Sequence, residues 1–353
     1  LMASSSYLML SKRNLQMIDW VTMRVNCAHE GIICNGSVVK VSKDNEIEWT
    51  STSWLPVVGS HDSSIVIRSV TDSTIEISGN PAKWLQGHNL FGTNDLNALC
   101  WLFLNKLIKI PELKLKPTMT QMKYIKDGIY TISRVDVNET WLLNNLQDVH
   151  AAIRALELSA RVKHRGAGQF KGDTLYWGKG SSRWFLKCYH KGDEINRKKS
   201  NYPDALRTPE MLDFAARSLR FEMTLKSNFL RERMLHIPAN WTPETAMLLL
   251  IEALGKLEMS TKFRLNDVAM QSLKPSERTA YYTWLAGGDM KVILPKTTFY
   301  RHRSTLLKHG VDIGILRDVE KPDPKVIPLI RILEAQPAGI PDWAFEKGLV
   351  ACA

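Results

Sequence analysis

The chain has 353 residues, 44% hydrophobic and 24% charged, the balance of a soluble globular protein with room for one large domain or two ordinary ones. Its longest apolar run, Ala98 to Ile108, is broken by Asn105 and Lys106 and is too short to span a bilayer. Of the formal net charge of +11, the stretch from Arg161 to Arg233 carries most, with 17 Lys+Arg against 8 Asp+Glu, a net +9. Charge concentrated in this way points to a polyanion, nucleic acid first. A basic membrane-surface helix is excluded by the strand-like, Gly-punctuated texture of the same stretch.

Residues 1–16, with the run Ser4 to Ser6 and the Lys12-Arg13 pair, have no apolar core followed by a cleavage site, so no signal peptide is expected. They read as an upstream extension, with Met17 as the expected natural start. From Ile18 to about Ser78 short β-branched runs alternate with turn residues, and Ser63 to Val70 and Thr74 to Ser78 are expected as neighbouring antiparallel strands. Thr93 or Asn94 caps a helix running to about Ile108. A strand follows from Gly128 to Val137, then a helix from about Asn144 to Val162 with Val149, Ile153, Leu156 and Ala160 on one stripe. Strands are expected over Thr174 to Trp177 and Arg183 to Lys191, then a charged loop, a helix opened by Thr208-Pro209, and a strand over Ser218 to Lys226. Past Leu235 the texture becomes helical, which places a domain boundary near residue 236. Five cysteines with no CxxC pair argue against a disulfide framework or a zinc ribbon and suit a reducing cytoplasm.

Strand alternation sorts side chains onto two faces. Arg134 and Asp136 share a face; so do Lys187, Tyr189 and Lys191; so do Arg220, Glu222, Thr224 and Lys226, while Leu219, Phe221, Met223 and Leu225 point to the core. On one sheet, these strands would present a polar face with two carboxylates, a tyrosine and several cations. That set suits phosphodiester cleavage by a tyrosine, whose phenol (pKa about 10) needs lysines or a carboxylate-held dication to favour the phenolate. Asp136 and Glu222, as hard oxygen ligands, suit Mg²⁺ or Mn²⁺ better than zinc. The same alternation also describes a sheet face that meets water through ordinary cross-strand ion pairs, so spacing alone leaves the tyrosine's role open.

The run Asn80-Pro-Ala-Lys-Trp-Leu-Gln-Gly-His-Asn-Leu-Phe-Gly-Thr-Asn-Asp95 resembles the gene II replication proteins of filamentous bacteriophages. In the family's order follow Ile132-Ser-Arg-Val-Asp136, the Tyr189 strand, Pro209-Glu-Met-Leu-Asp-Phe-Ala into Leu219-Arg-Phe-Glu222, and Leu294-Pro-Lys-Thr-Thr-Phe-Tyr-Arg301. The opening Met17-Ile-Asp-Trp is similar too, and the resemblance covers roughly residues 17–345. More loosely, Thr174 to Glu194 is similar to the core of plasmid rolling-circle initiators.

The resemblance implies an α+β fold: an antiparallel-sheet rolling-circle endonuclease core flanked by helices over residues 17–235, and a mainly helical domain over 236–353 that binds DNA. It implies strand-specific nicking of the double-stranded replicative form at the plus-strand origin, with Tyr189 holding the 5′ phosphate and Lys187 and Lys191 assisting. The freed 3′-OH primes synthesis, a second transfer reseals the displaced single strand, and a host helicase and DNA polymerase in the bacterial cytoplasm are the expected partners. Tyr176, at the start of a Gly-Lys-Gly-Ser-Ser turn, is the lesser candidate nucleophile. His-hydrophobic-His, the metal motif of many rolling-circle endonucleases, does not occur among the nine histidines. The expected ligands are therefore Asp136 and Glu222, then His88 from the long motif, then Glu76; the alternative for His88 is a histidine at a helix start bonded to backbone. Arg134, Arg220 and the loop cations Arg197, Lys198 and Lys199 are the expected DNA contacts. So are Arg301 and Arg303 on a helix capped by Thr297 or Thr298, which with the helix from Pro275 resembles a helix-turn-helix. In the phage family this region is also made separately from an internal start. A non-catalytic DNA-binding repressor or packaging factor is the alternative from another class.

Overall fold

The computed structural model describes residues 17–59, 63–162, 165–196, 202–259, 267–308, 311, 313–314 and 338–350. In chain order its strands are β1 (Met17–Asn26), β2 (Ser37–Val41), β3 (Ile47–Thr52), β4 (Leu55–Val58), β5 (Ser64–Thr71), β6 (Thr74–Gly79) and β7 (Thr131–Leu142). They continue as β8 (Ala160–Val162), β9 (Gly166–Ala167), β10 (Gln169–Lys171), β11 (Thr174–Trp177), β12 (Trp184–His190), β13 (Ser218–Lys226) and β14 (Leu257–Met259). Nine of them form one antiparallel sheet in the order β10-β11-β12-β13-β7-β1-β6-β5-β4. The α+β architecture expected from the sequence is thus observed.

Local chemistry explains where the helices begin. Asn80 accepts a hydrogen bond from Lys83 N–H and Pro81 fills the first turn of helix Pro81–Gln86, which Gly87 ends in the left-handed conformation at φ 84°. Helix Leu96–Ile108 is capped by Asp95 rather than by Thr93 or Asn94, because its carboxylate accepts the Ala98 N–H at 2.9 Å. Thr208 caps Pro209–Ala216 as expected. The helix expected over 144–162 runs Leu146–Ser159 under an Asn145 cap, and Ala160 to Val162 leave it to pair with β9 and β14.

The sheet's apolar face is covered by helices. Leu219, Phe221, Met223 and Leu225 of β13 join Leu99, Phe103 and Leu107, Val149 and Leu156, and Ala246, Leu250 and Leu254 in one core. Helix Thr245–Leu254 and Leu257 therefore pack with the sheet, beyond the boundary expected at residue 236. Helices Pro275–Leu285, Met290–Ile293 and Lys296–Lys308 gather around a separate cluster that includes Tyr281, Trp284, Phe299 and Leu306. A short helix thus occupies the turn of the expected helix-turn-helix, and His302 on the last helix is buried near Glu277. Arg301 is exposed and Arg303 half-buried on the last of these helices.

The other face of the sheet is polar but not open. The Asn80–Asp95 segment and residues 338–350 close over one end of it, with Leu90, Phe91, Phe214, Ala338, Ile340 and Ala344 in a second apolar cluster. Ala338 N–H donates to Thr140 O of β7 at 3.0 Å, so chain from near the C-terminus is tied directly to the central strands.

Candidate active site

Register brings the polar side chains of β12, β13 and β7 into rows. Lys187 stands opposite Glu222, which stands opposite Asn138; Tyr189 opposite Arg220, opposite Thr140; and Thr224 opposite Asp136. Side chains directly across a ladder are close enough to touch, and here they do. The Lys187 ammonium lies 2.5 Å from Glu222 Oε1 and 3.8 Å from Asp136 Oδ2, and the Tyr189 hydroxyl donates to Glu222 Oε2 at 3.1 Å. Arg134 forks onto Asp136 with bonds of 2.8 and 2.7 Å and lies over the Trp20 ring. Asp136, Glu222, Tyr189 and Lys187, each expected from sequence, therefore meet at one point.

Burial sets the electrostatics. Asp136 and Glu222 are 1% and 2% exposed. Burial pushes the Glu222 carboxyl up to about 7, with Lys187 opposing and Asp136 adding to the rise. Burial likewise raises the Tyr189 phenol well above its ordinary value, helped by Glu194 and Glu222. For Lys187 burial acts downward, but Glu222 and Asp136 prevail and hold its ammonium charged.

Asp19 is a third carboxylate in this set, and sequence reasoning missed it. It sits at a register shift in β1 between Ile18 and Trp20, accepts hydrogen bonds from the side-chain amides of Asn80 and Asn89 (the latter at 2.9 Å), and is raised by burial and by Glu222. The signal was a charged residue inside the apolar opening Met17-Ile-Asp-Trp.

Several expected roles do not survive the fold. Arg220 is fully buried, donating to Asn89 O at 2.7 Å, Leu90 O at 3.0 Å and Thr140 Oγ1 at 3.0 Å, so it braces the motif segment against the sheet and is not available to DNA. Lys191 opens helix Lys191–Asn196 instead of extending β12; its buried ammonium is committed to Asn89 Oδ1 at 2.8 Å and Glu194 at 2.6 Å, not to the Tyr189 oxygen. His88 has both ring nitrogens engaged by backbone, Nε2 with Leu349 O at 2.7 Å and Nδ1 with Leu90 N–H at 3.3 Å, which is the alternative role rather than ligation. Glu76 is clamped by Arg24 at 3.0 Å and Arg68 at 2.6 Å. It pairs with Arg24 while Asp136 pairs with Trp20, about 13 Å away along β1 at strand rise, so it cannot join Asp136 on one ion. Tyr176 stands one strand out, opposite Lys187, with its ring under Lys179. Arg197, Lys198 and Lys199 lie outside the described residues.

The Asp136–Glu222 pair fits a hard dication on an independent observation. Both amide atoms of Asn138 and the Thr224 hydroxyl are buried without a hydrogen-bond partner among the described residues, and their register partners are these two carboxylates. Two carboxylates, an amide oxygen and a hydroxyl make an all-oxygen donor set of the kind Mg²⁺ or Mn²⁺ takes.

Residues 17–244 match the family model for the N-terminal part of the replication-associated gene II protein, and residues 266–350 match the model for its C-terminal part. The chain belongs to this family, the gene II replication initiators of filamentous phages. The replication-associated gene II protein of Enterobacteria phage I2-2 is 35% identical over 333 residues, covering 92% of this chain and 95% of that protein. Its namesake in Enterobacteria phage M13 is 25% identical over 331 residues, covering 78% of each chain. A solved chain of a rolling circle replication initiator protein from Geobacillus stearothermophilus aligns at a TM-score of 0.31 and 11% identity, over 71% of this chain and 89% of that one.

Proposed function

We propose that this gene II-family chain initiates rolling-circle replication by nicking one strand of double-stranded replicative-form DNA at the plus-strand origin, with Tyr189 as nucleophile. The observation that carries the reading is the Tyr189 hydroxyl donating to Glu222, a carboxylate held in turn by Lys187 at the centre of the polar sheet face. Glu222 Oε2 takes the phenolic proton, and its carboxyl, pushed up to about 7, is matched to that task near neutral pH. The Tyr189 oxygen then bonds to phosphorus, the bond from phosphorus to the 3′ oxygen breaks, and that oxygen takes a proton. This leaves a 5′-phosphotyrosine and a free 3′-OH. Lys187 and Arg134 are the cations placed to stabilise charge on the phosphoryl oxygens. Asp136 and Glu222, with the oxygens of Asn138 and Thr224, would hold Mg²⁺ or Mn²⁺, which supplies further charge stabilisation at the phosphate.

The ester energy stays in the tyrosyl link, so the reverse transfer reseals the displaced single strand without ATP. The sheet and the helices packed on it carry the chemistry, and the separate cluster of helices from Pro275 to Lys308, bearing Arg301 and Arg303, binds DNA. A host helicase and polymerase extend the freed end in the bacterial cytoplasm.

The test is incubation with supercoiled origin DNA and Mg²⁺, followed by detection of protein on the 5′ end of the nick. Attachment is expected in the parent and none in Tyr189→Phe, which keeps DNA binding. A nick without attachment would assign a hydrolytic nuclease, and binding without a nick a repressor.

A further inference from the structure

His190 follows Tyr189 in β12 and so points to the opposite, helix-covered face of the sheet. There it meets His150 of helix Leu146–Ser159, with ring centroids 5.2 Å apart, and Asp193 of helix Lys191–Asn196. His190 Nδ1 is 3.0 Å from Asp193 Oδ1, and His150 Nε2 is 3.2 Å from Asp193 Oδ2. One ligand atom from each residue lies within 4.8 Å of the other two.

Three features mark this as a built site rather than a chance meeting of polar groups. The first is the tautomer of His190. Its Nε2 lies 2.9 Å from Ala216 O, which accepts the ring N–H and leaves a lone pair on Nδ1. Metal-bound histidines are oriented in this way, by a carbonyl on the far nitrogen. The second is what Asp193 presents to this nitrogen: its backbone N–H donates to Nδ1 at 3.2 Å while its carboxylate oxygen stands 3.0 Å away, so a cation taking the lone pair would replace that N–H bond and separate the two acceptors. Metal–ligand bonds of about 2.0–2.1 Å in a tetrahedral site place neighbouring ligand atoms roughly 3.3 Å apart, close to the separations seen. The third is Gly192. A Cβ there would come within 2.7 Å of His190 Cε1, so only glycine lets the chain turn against the imidazole and deliver Asp193.

We propose that His150 Nε2, His190 Nδ1 and the Asp193 carboxylate bind a transition-metal dication of the Zn²⁺ class, distinct from the hard-cation pair Asp136 and Glu222. Two imidazoles and one carboxylate suit zinc better than Mg²⁺, which keeps oxygen ligands. His150 and Asp193 are about half-exposed, so the fourth position opens to water. The ion would pin the end of the Tyr189 strand and the helix carrying Lys191 and Glu194 to helix Leu146–Ser159. Its role is to position the nucleophile's strand, not to touch DNA.

Co²⁺ titration of the full-length, metal-stripped protein tests this through the visible d–d bands of four-coordinate cobalt. One equivalent is expected to produce the bands, Zn²⁺ to displace them, and excess Mg²⁺ to leave them. His150→Ala and Asp193→Asn, at partly exposed positions that spare the core, should each abolish the bands and weaken Zn²⁺ binding at least tenfold, the usual order for loss of a ligand or its support. Asp136→Asn should retain them. The proposal is overturned if the parent shows no bands and takes up no zinc, which would leave a proton between His190 and Asp193. It is also overturned if the bands survive either ligand substitution, or are lost in Asp136→Asn.

Discussion

Glu222→Gln should stabilise the metal-free protein above neutral pH while abolishing nicking. The Glu222 carboxyl is raised by burial from an ordinary 4.5 to about 7. An acid whose folded pKa lies above its unfolded one favours folding while neutral, so its contribution is complete below about pH 4.5 and is lost as pH rises through 7. Each pKa unit corresponds to 1.36 kcal/mol, so the parent loses about 3 kcal/mol across this window, and glutamine, neutral throughout, does not. At roughly 2 °C per kcal/mol for a chain of this size, the melting temperatures of variant and parent should diverge by about 6 °C between pH 4.5 and 8. Differential scanning calorimetry in EDTA at stepped pH reads the divergence directly. Added Mg²⁺ should close the gap by stabilising the parent alone. Melting curves that run parallel across the range would refute the idea that Glu222 is a strained, buried acid.

Arg220→Met removes the donor shared by Asn89 O, Leu90 O and Thr140, so the variant should lose about 3 kcal/mol or more in urea unfolding. A loss of DNA affinity at unchanged stability would instead return Arg220 to the DNA interface. Lys187→Met removes the ammonium that touches both carboxylates and should slow nicking about 10²- to 10³-fold with DNA affinity retained, measured in single-turnover assays. His88→Ala should speed hydrogen exchange over residues 338–350, which His88 ties down through Leu349 O, and leave the Mg²⁺ requirement for nicking unchanged. A tenfold rise in the Mg²⁺ needed would make His88 a ligand after all.

Alternation and capping chemistry are local, and where they decide structure the sequence was legible. Strand Ser218–Lys226 and the Thr208-capped helix occur as read, and period two puts Lys187 with Tyr189, Glu222 with Arg220 and Asp136 with Arg134, while the register of three strands brings these sets together. What alternation cannot report is the depth of a face. Arg220 and Lys191 read as cations beside a nucleophile, yet both are sealed by Asn89 and its neighbours, which come from far away in the chain. His88 was illegible for the same reason, since its partner Leu349 is 261 residues distant. Asp19 was hidden differently. In an unbroken strand it would share the core face of Val21 and Met23, and only the register shift at Ile18/Trp20 turns it toward the carboxylates.

A buried phenol with a raised pKa is at first sight a poor nucleophile. The relevant quantity, however, is the difference between Tyr189 and the base that takes its proton. Burial raises Tyr189 and Glu222 alike, because it penalises a negative charge on either oxygen. Proton transfer between oxygens 3.1 Å apart creates no new buried charge; it relocates one from the carboxylate to the phenolate, and the shared desolvation cost cancels. The remaining gap is closed by whatever favours charge at the tyrosine oxygen over charge at Glu222. Lys187 sits on the far carboxylate oxygen and at present favours the wrong side. A phosphate that draws Lys187 off Glu222 would therefore raise that carboxylate's proton affinity at the moment the proposed nucleophile needs a base. On the proposed mechanism, the ion pairs of the resting site would keep Tyr189 protonated until substrate displaces them.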